Sequence, residues 1–123
     1  MVVNILVVDD SKAMRMIVKR TVKKAGFKDH NFVEAENGKK ALERITADPP
    51  PDLVLSDWNM PLMTGIELLE RLKEEGNTIK FGFVTSEGTQ EMRDRATAAG
   101  ALFLICKPFT VEAFVEALTP LID

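Results

Sequence analysis

At 123 residues the chain has the size of one domain, and 46% hydrophobic with 28% charged residues is ordinary for a soluble globular protein. A net charge of -3 without a long basic run argues against nucleic acid as a partner. No apolar stretch approaches a membrane span, and the start, Met1-Val2-Val3-Asn4-Ile5, lacks the basic region of a secretory signal. The single cysteine excludes an internal disulfide, so a reducing cytoplasm is the expected compartment.

Apolar runs alternate with helical patterns along the whole chain. The first run, Asn4–Val8, reads as a strand. Ser11 then caps a helix whose inner face reads Met14, Ile17, Val18, Thr21, Val22 and Ala25, with Gly26 as its stop. The basic residues Lys12, Arg15, Lys19, Arg20, Lys23 and Lys24 read as the wet face of that helix. Residues 32–35 form a shorter strand, and Glu34 within it suggests a sheet edge. Asn37-Gly38 opens a helix carrying Ala41, Leu42 and Ile45, which Pro49-Pro50-Pro51 ends.

The third strand is predicted at 53–56, followed by a loop over 58–63. A helix with Ile66, Leu69 and Leu72 inward comes next, stopped by Gly76-Asn77. The fourth strand is predicted at 79–84. The polar stretch 86–90 leads to a helix with Met92, Ala96 and Ala99 inward, closed by Gly100. A fifth strand at 102–106 precedes a helix with Val111, Phe114, Val115, Leu118 and Ile122 on one side. Alternation of this kind predicts an α/β fold: a doubly wound, five-stranded parallel sheet with helices on both faces. The whole of 1–123 is expected to be this one domain, with no output domain after it.

If the runs are parallel strands, their carboxyl ends share one sheet edge, where open α/β sheets place ligands. Asp9 and Asp10 follow the first run, Asp57 the third, Thr85 the fourth and Lys107 the fifth. Carboxylates about 5 Å apart repel by roughly 3 kcal/mol per ionised pair at an effective dielectric near 20. Such a cluster holds protons or a cation, and hard oxygen donors suit Mg²⁺. Zinc does not fit, because His30 and Cys106 fall in different parts of the chain. A cation beside a carboxylate, a hydroxyl and a lysine is also equipped for phosphoryl transfer, with the carboxylate as nucleophile.

Taken singly, Asp9-Asp10-Ser11 reads as a helix cap, Asp57 as a turn residue, Thr85 as a strand-end hydroxyl and Lys107 as a solvated amine. Their joint occurrence at successive strand ends sets those readings aside. Elsewhere, Cys106 reads as a buried, inert thiol and His30 as an exposed loop residue with no role. Met14, Met60, Met63 and Met92 read as packing. Trp58, beside Asp57, reads either as a partly exposed probe of metal binding or as packing.

The motifs Val7-Val8-Asp9-Asp10-Ser11, Ser56-Asp57-Trp58-Asn59-Met60-Pro61, Val84-Thr85-Ser86 and Lys107-Pro108-Phe109 resemble those of the receiver domains of bacterial two-component signalling, and in particular their stand-alone chemotaxis type. The likeness spans the whole chain. It implies the flavodoxin-like (βα)5 fold with strand order 2-1-3-4-5. It implies that Asp57 accepts a phosphoryl group from a histidine kinase. Asp10, Asp57 and the Asn59 carbonyl would ligate Mg²⁺, with Asp9 acting mainly through a water. Lys107 would pair with the acceptor carboxylate and then the phosphate, and Thr85 would hydrogen-bond the phosphoryl group. Lys107-Pro108 would be cis. Asn59 and Glu87 would tune the lifetime of the acyl phosphate, and the small Ser86 would leave room for the donor. A downstream protein would dock on helix four, strand five and helix five of a monomer.

One residue departs from the family pattern. An aromatic residue is usual three positions before the lysine, and here that position holds Leu104. Phe103 is adjacent, but a one-residue offset in a strand points to the opposite face. An aromatic latch is therefore expected to be absent or altered. Three rival readings stand beside the phosphoacceptor. An aspartyl-phosphate phosphohydrolase would want an acid two positions after the nucleophile, where this chain has Asn59. A flavin-binding protein would want hydroxyls after the first strand, where Asp9-Asp10 would repel a phosphate. A receiver serving as a phosphate sink or scaffold is the third.

Overall fold

The structure, a computed structural model, describes residues 2–122. Five parallel strands form one sheet in the order β2-β1-β3-β4-β5. They are β1 (Asn4–Val8), β2 (Asn31–Ala35), β3 (Leu53–Ser56), β4 (Lys80–Thr85) and β5 (Leu104–Cys106). Between and after them run α1 (Lys12–Val22), α2 (Gly38–Ile45), α3 (Gly65–Glu74), α4 (Gln90–Ala98) and α5 (Val111–Leu118). The expected doubly wound fold and strand order are therefore observed, with β2 at an edge.

Period-two alternation divides the core between the two sheet faces. Leu6, Val8, Val54, Phe81 and Phe83 face α2, α3 and α4. Ile5, Val7, Leu53, Leu55 and Val84 face α1 and α5. At the start of β5, Leu104 packs toward the first cluster, and Phe103 just before it packs toward the second, as the one-residue offset requires.

Local chemistry explains the helix starts. Ser11, Asn37, Thr64, Thr89 and Thr110 each accept a backbone N–H from the first turn of their helix. Thr64 and Glu67 complete a reciprocal capping box. Gly26, Gly76 and Gly100 take positive φ values of 107°, 73° and 102° where the chain leaves a helix.

Several details differ from expectation. A π turn (Lys23–Phe27) continues α1 one residue past Gly26, the expected stop. Ile17 and Val115 are exposed rather than inward. Each lies about 100° around its helix from a buried neighbour, Val18 or Phe114, at the margin of a narrow stripe. Arg15 and Lys19 do not belong to the wet face, because both fold back onto Glu34 of β2. The strand β4 begins at Lys80 and includes Thr85, and β5 is shorter than the apolar run. Leu102 and Phe103 still bond β4, through Leu102 N to Phe81 O at 2.8 Å and Phe83 N to Phe103 O at 3.0 Å.

His30 is not an idle loop residue. Its Nδ1 accepts the Val3 N–H at 2.9 Å, which ties the entry of β2 to β1. Cys106 is half-buried rather than buried, and its Sγ accepts from Arg93 Nη2 at 3.2 Å.

Candidate functional site

The sheet ends are level, and that brings the strand-end residues together. Val8 pairs with both Ala35 and Ser56, and Thr85 pairs with Cys106. Main-chain bonds carry the ladder past the strands: Asp57 N donates to Val8 O at 2.9 Å, and Lys107 N to Thr85 O at 2.7 Å. Asp9 and Asp57 thus leave neighbouring strands side by side, and Lys107 leaves β5 beside Thr85.

Asp57 is held from several sides. Its carbonyl accepts the Ser56 hydroxyl at 2.8 Å. Its Oδ1 accepts the Trp58 N–H at 2.8 Å and lies 3.8 Å from Lys107 Nζ. Its Oδ2 accepts no protein hydrogen bond among the described residues, and no buried side-chain oxygen there lacks a partner. Oδ2 is therefore open to solvent. Gly65, at the start of α3, makes this geometry possible. A Cβ there would run into the Asp57 carbonyl oxygen, so only glycine lets the helix approach.

The other two carboxylates differ in kind. Asp9 is 4% exposed and both its oxygens are engaged. Oδ1 accepts the Ser11 N–H at 2.9 Å, and Oδ2 accepts Lys107 Nζ at 3.1 Å. Asp10 is exposed, and its carboxylate makes no hydrogen bond or ion pair among the described residues. One oxygen from each of Asp9, Asp10 and Asp57 falls within 4.8 Å of the others.

Burial is the main reason the Asp57 carboxyl stands above its usual range. Lys107 opposes that shift, Asp9 adds to it, the Trp58 N–H opposes it and Asp10 adds to it. Three hard oxygen donors that repel one another fit a small divalent cation such as Mg²⁺. The engaged oxygens of Asp9 suit a role behind a water, and the free ones of Asp10 and Asp57 suit direct ligation.

Thr85 is fully buried, and its Oγ1 accepts the Glu87 N–H at 3.5 Å. Across the mouth, Asn59 Nδ2 donates to Glu87 Oε1 at 3.4 Å, and Ser86 is exposed beside them. The peptide Lys107-Pro108 is cis, as expected, and Asp48-Pro49 is cis as well.

A model of the response regulator receiver domain matches residues 5–119. The chain belongs to the receiver domain family. Chemotaxis protein CheY1 of Helicobacter pylori is 36% identical to this receiver over 116 residues, 93% of this chain and 92% of that one. The chemotaxis protein CheY homolog of Campylobacter jejuni is 37% identical over 116 residues, 93% of this chain and 88% of that one. Among solved structures, Vibrio cholerae CheY4 superposes with a TM-score of 0.83 at 28% identity, covering 99% of this chain and 100% of that one. The receiver domain of a putative response regulator NarL from Mycobacterium tuberculosis gives 0.83 at 28% identity, covering 97% and 94%.

Within this receiver, Trp58 proves to be packing. It is 8% exposed, and its ring lies 4.9 Å from that of Phe83. Met60 is buried in the same cluster, with Met63 and Met92 packed against it, while Met14 packs on the other face. Leu104 borders Gly88, where an added Cβ would run into Cys106 Sγ and lie 3.5 Å from a Leu104 methyl. Arg93 of α4 spans the same place, donating to Gly88 O at 3.2 Å and Leu104 O at 3.5 Å. The sequence carries no signal for Arg93, and Ser56 enters there only as part of the motif around Asp57. Gly65 was readable in principle as a glycine closing the loop after Asp57.

Proposed function

We propose that this receiver is a magnesium-dependent phosphoacceptor of the chemotaxis type. The observation that carries the reading is the solvent-open Oδ2 of Asp57, set beside Lys107 and two further carboxylates. Oδ2 attacks the phosphorus of a kinase phosphohistidine. A P–O bond forms, the P–N bond breaks, and the imidazole leaves with the electron pair. Lys107 neutralises phosphoryl oxygens, and Thr85 turns its hydroxyl to one of them. Bound Mg²⁺, held by Asp10, Asp57 and the Asn59 carbonyl with Asp9 behind a water, would supply further charge neutralisation.

Water later hydrolyses the acyl phosphate at a rate that Asn59 and Glu87 tune. The chain is thus a switch with self-limiting chemistry rather than a turnover enzyme. Its partners are a histidine kinase and a protein that docks on α4, β5 and α5. The named chemotaxis relatives support that role. The proposed working form is a cytoplasmic monomer. Among the described residues no helix is long and apolar enough to cross a membrane.

Incubation with Mg²⁺ and acetyl phosphate, followed by intact-mass measurement, tests the reading. A phosphoryl adduct is expected in wild type and not in Asp57→Asn. An equal adduct in both, or none in wild type, overturns the acceptor assignment. Leu104 favours a second reading, a phosphate sink in a relay. A phosphorylated form that gains no protein partner over the resting form supports that reading.

A further inference from the structure

Arg15 is the one basic residue of α1 that reaches the acidic loop. Its side chain is 13% exposed. Nη1 donates to the Asp9 carbonyl at 2.6 Å, and Nε donates to Glu34 Oε1 at 2.8 Å. Lys19, one turn further on, holds the other Glu34 oxygen at 2.8 Å. These bonds, that of Lys19 foremost, keep the Glu34 carboxyl below its usual range, so it is a charged and fixed anchor.

The Asp9 carbonyl belongs to the planar peptide that joins Asp9 to Asp10. Pinning that oxygen sets the rotation of the whole plane, and with it the direction in which Asp10 leaves. Asp10 needs such help, since its own carboxylate has no partner among the described residues. The Ser11 N–H to Asp9 Oδ1 bond closes an Asx turn around that peptide, and Arg15 adds a second hold, on the peptide oxygen itself.

We propose that Arg15, anchored by Glu34, is a positioning residue for the cation site: it sets the Asp9–Asp10 peptide and so aims the Asp10 carboxylate at Asp57. This inference rests on the magnesium reading above.

Charge and position predict opposite signs here. A guanidinium near a cation site repels the cation, so its removal on electrostatic grounds alone tightens Mg²⁺ binding. If Arg15 positions Asp10, its removal weakens binding by about tenfold, as loss of an outer contact to a metal ligand does.

Mg²⁺ dissociation constants of the unphosphorylated protein, measured by isothermal titration calorimetry, decide between them. Arg15→Met is expected to bind about tenfold more weakly, and the amide resonances of Asp10 and Ser11 to broaden or shift. Arg20→Met removes equal charge from the same helix without touching the Asp9 carbonyl or Glu34, and is expected to bind as well as wild type or better. Should Arg15→Met not fold, Glu34→Gln, which loosens the anchor, is expected to weaken binding in the same direction. Binding by Arg15→Met, or by Glu34→Gln in its place, that equals or exceeds a measurable wild-type affinity overturns the inference alone. A wild type that takes up no Mg²⁺ overturns the metal reading and the inference with it.

Discussion

Lys107 Nζ stands 3.1 Å from Asp9 Oδ2 but 3.8 Å from Asp57 Oδ1. The resting ammonium therefore hydrogen-bonds the buried carboxylate and makes a longer ion pair with the acceptor. The family likeness had implied the second contact; the structure adds Asp9 as the nearer partner. An amine that leans on Asp9 leaves Asp57 its open oxygen while still lowering the repulsion among the carboxylates.

Removal of that amine exposes how much it balances. Lys107→Met leaves Asp9, 4% exposed, with the Ser11 N–H alone for compensation. A loss of about 2 kcal/mol at neutral pH in metal-free buffer is expected, below the full cost of orphaning a buried charge because Asp9 keeps one bond. Mg²⁺ is expected to restore much of it. Urea unfolding with and without the cation measures both effects.

The raised Asp57 carboxyl makes stability depend on pH. In the window from its unfolded value, near 3.8, up to the folded value, the native state binds the proton more tightly than the unfolded chain. Stability from this group then falls as pH rises through the window. Asp57→Asn removes the penalty, so the variant is expected to melt higher than wild type at neutral pH without metal. The advantage disappears below the unfolded value. Calorimetric melting points across that range check the sign.

Packing offers a prediction independent of the site. A Cβ on Gly82 would strike the ring of Phe103, which immediately precedes β5. Gly82→Ala is expected to cost about 1–3 kcal/mol through overpacking. The double variant Gly82→Ala with Phe103→Leu is expected to recover part of that loss. Strict additivity of the two single changes in urea unfolding would show that they do not meet.

Leu104 is the place to probe transmission. It is the first residue of β5, against Gly88 and under Arg93, where β5 meets the loop that carries Thr85 to α4. Leu104→Tyr is expected to change partner affinity in the phosphorylated form more than in the resting form, by several-fold. Equal changes in both forms would reduce position 104 to packing.

Much of the architecture was legible because burial imposes a period. Strands covered on both faces must be apolar throughout, and helices between them show a stripe. The errors fall where the period is weakest. Ile17 and Val115 sit at stripe margins, where a residue is in or out by a fraction of a turn. Trp58 could not be placed from sequence, since its burial depends on Phe83 of another strand. His30 gained a role only because β2 returns beside Val3.

The sequence by itself determined the alternation of elements, the acid set after the first and third strands, and Leu104 in place of an aromatic. Local composition and period are enough for these. Only the tertiary structure decided that Lys107 bonds Asp9, that Arg15 grips the Asp9 carbonyl through an anchor on β2, and that Oδ2 of Asp57 stays open. Those facts join residues as far apart as the 98 positions between Asp9 and Lys107. They depend on strand register and side-chain direction, which no local pattern specifies.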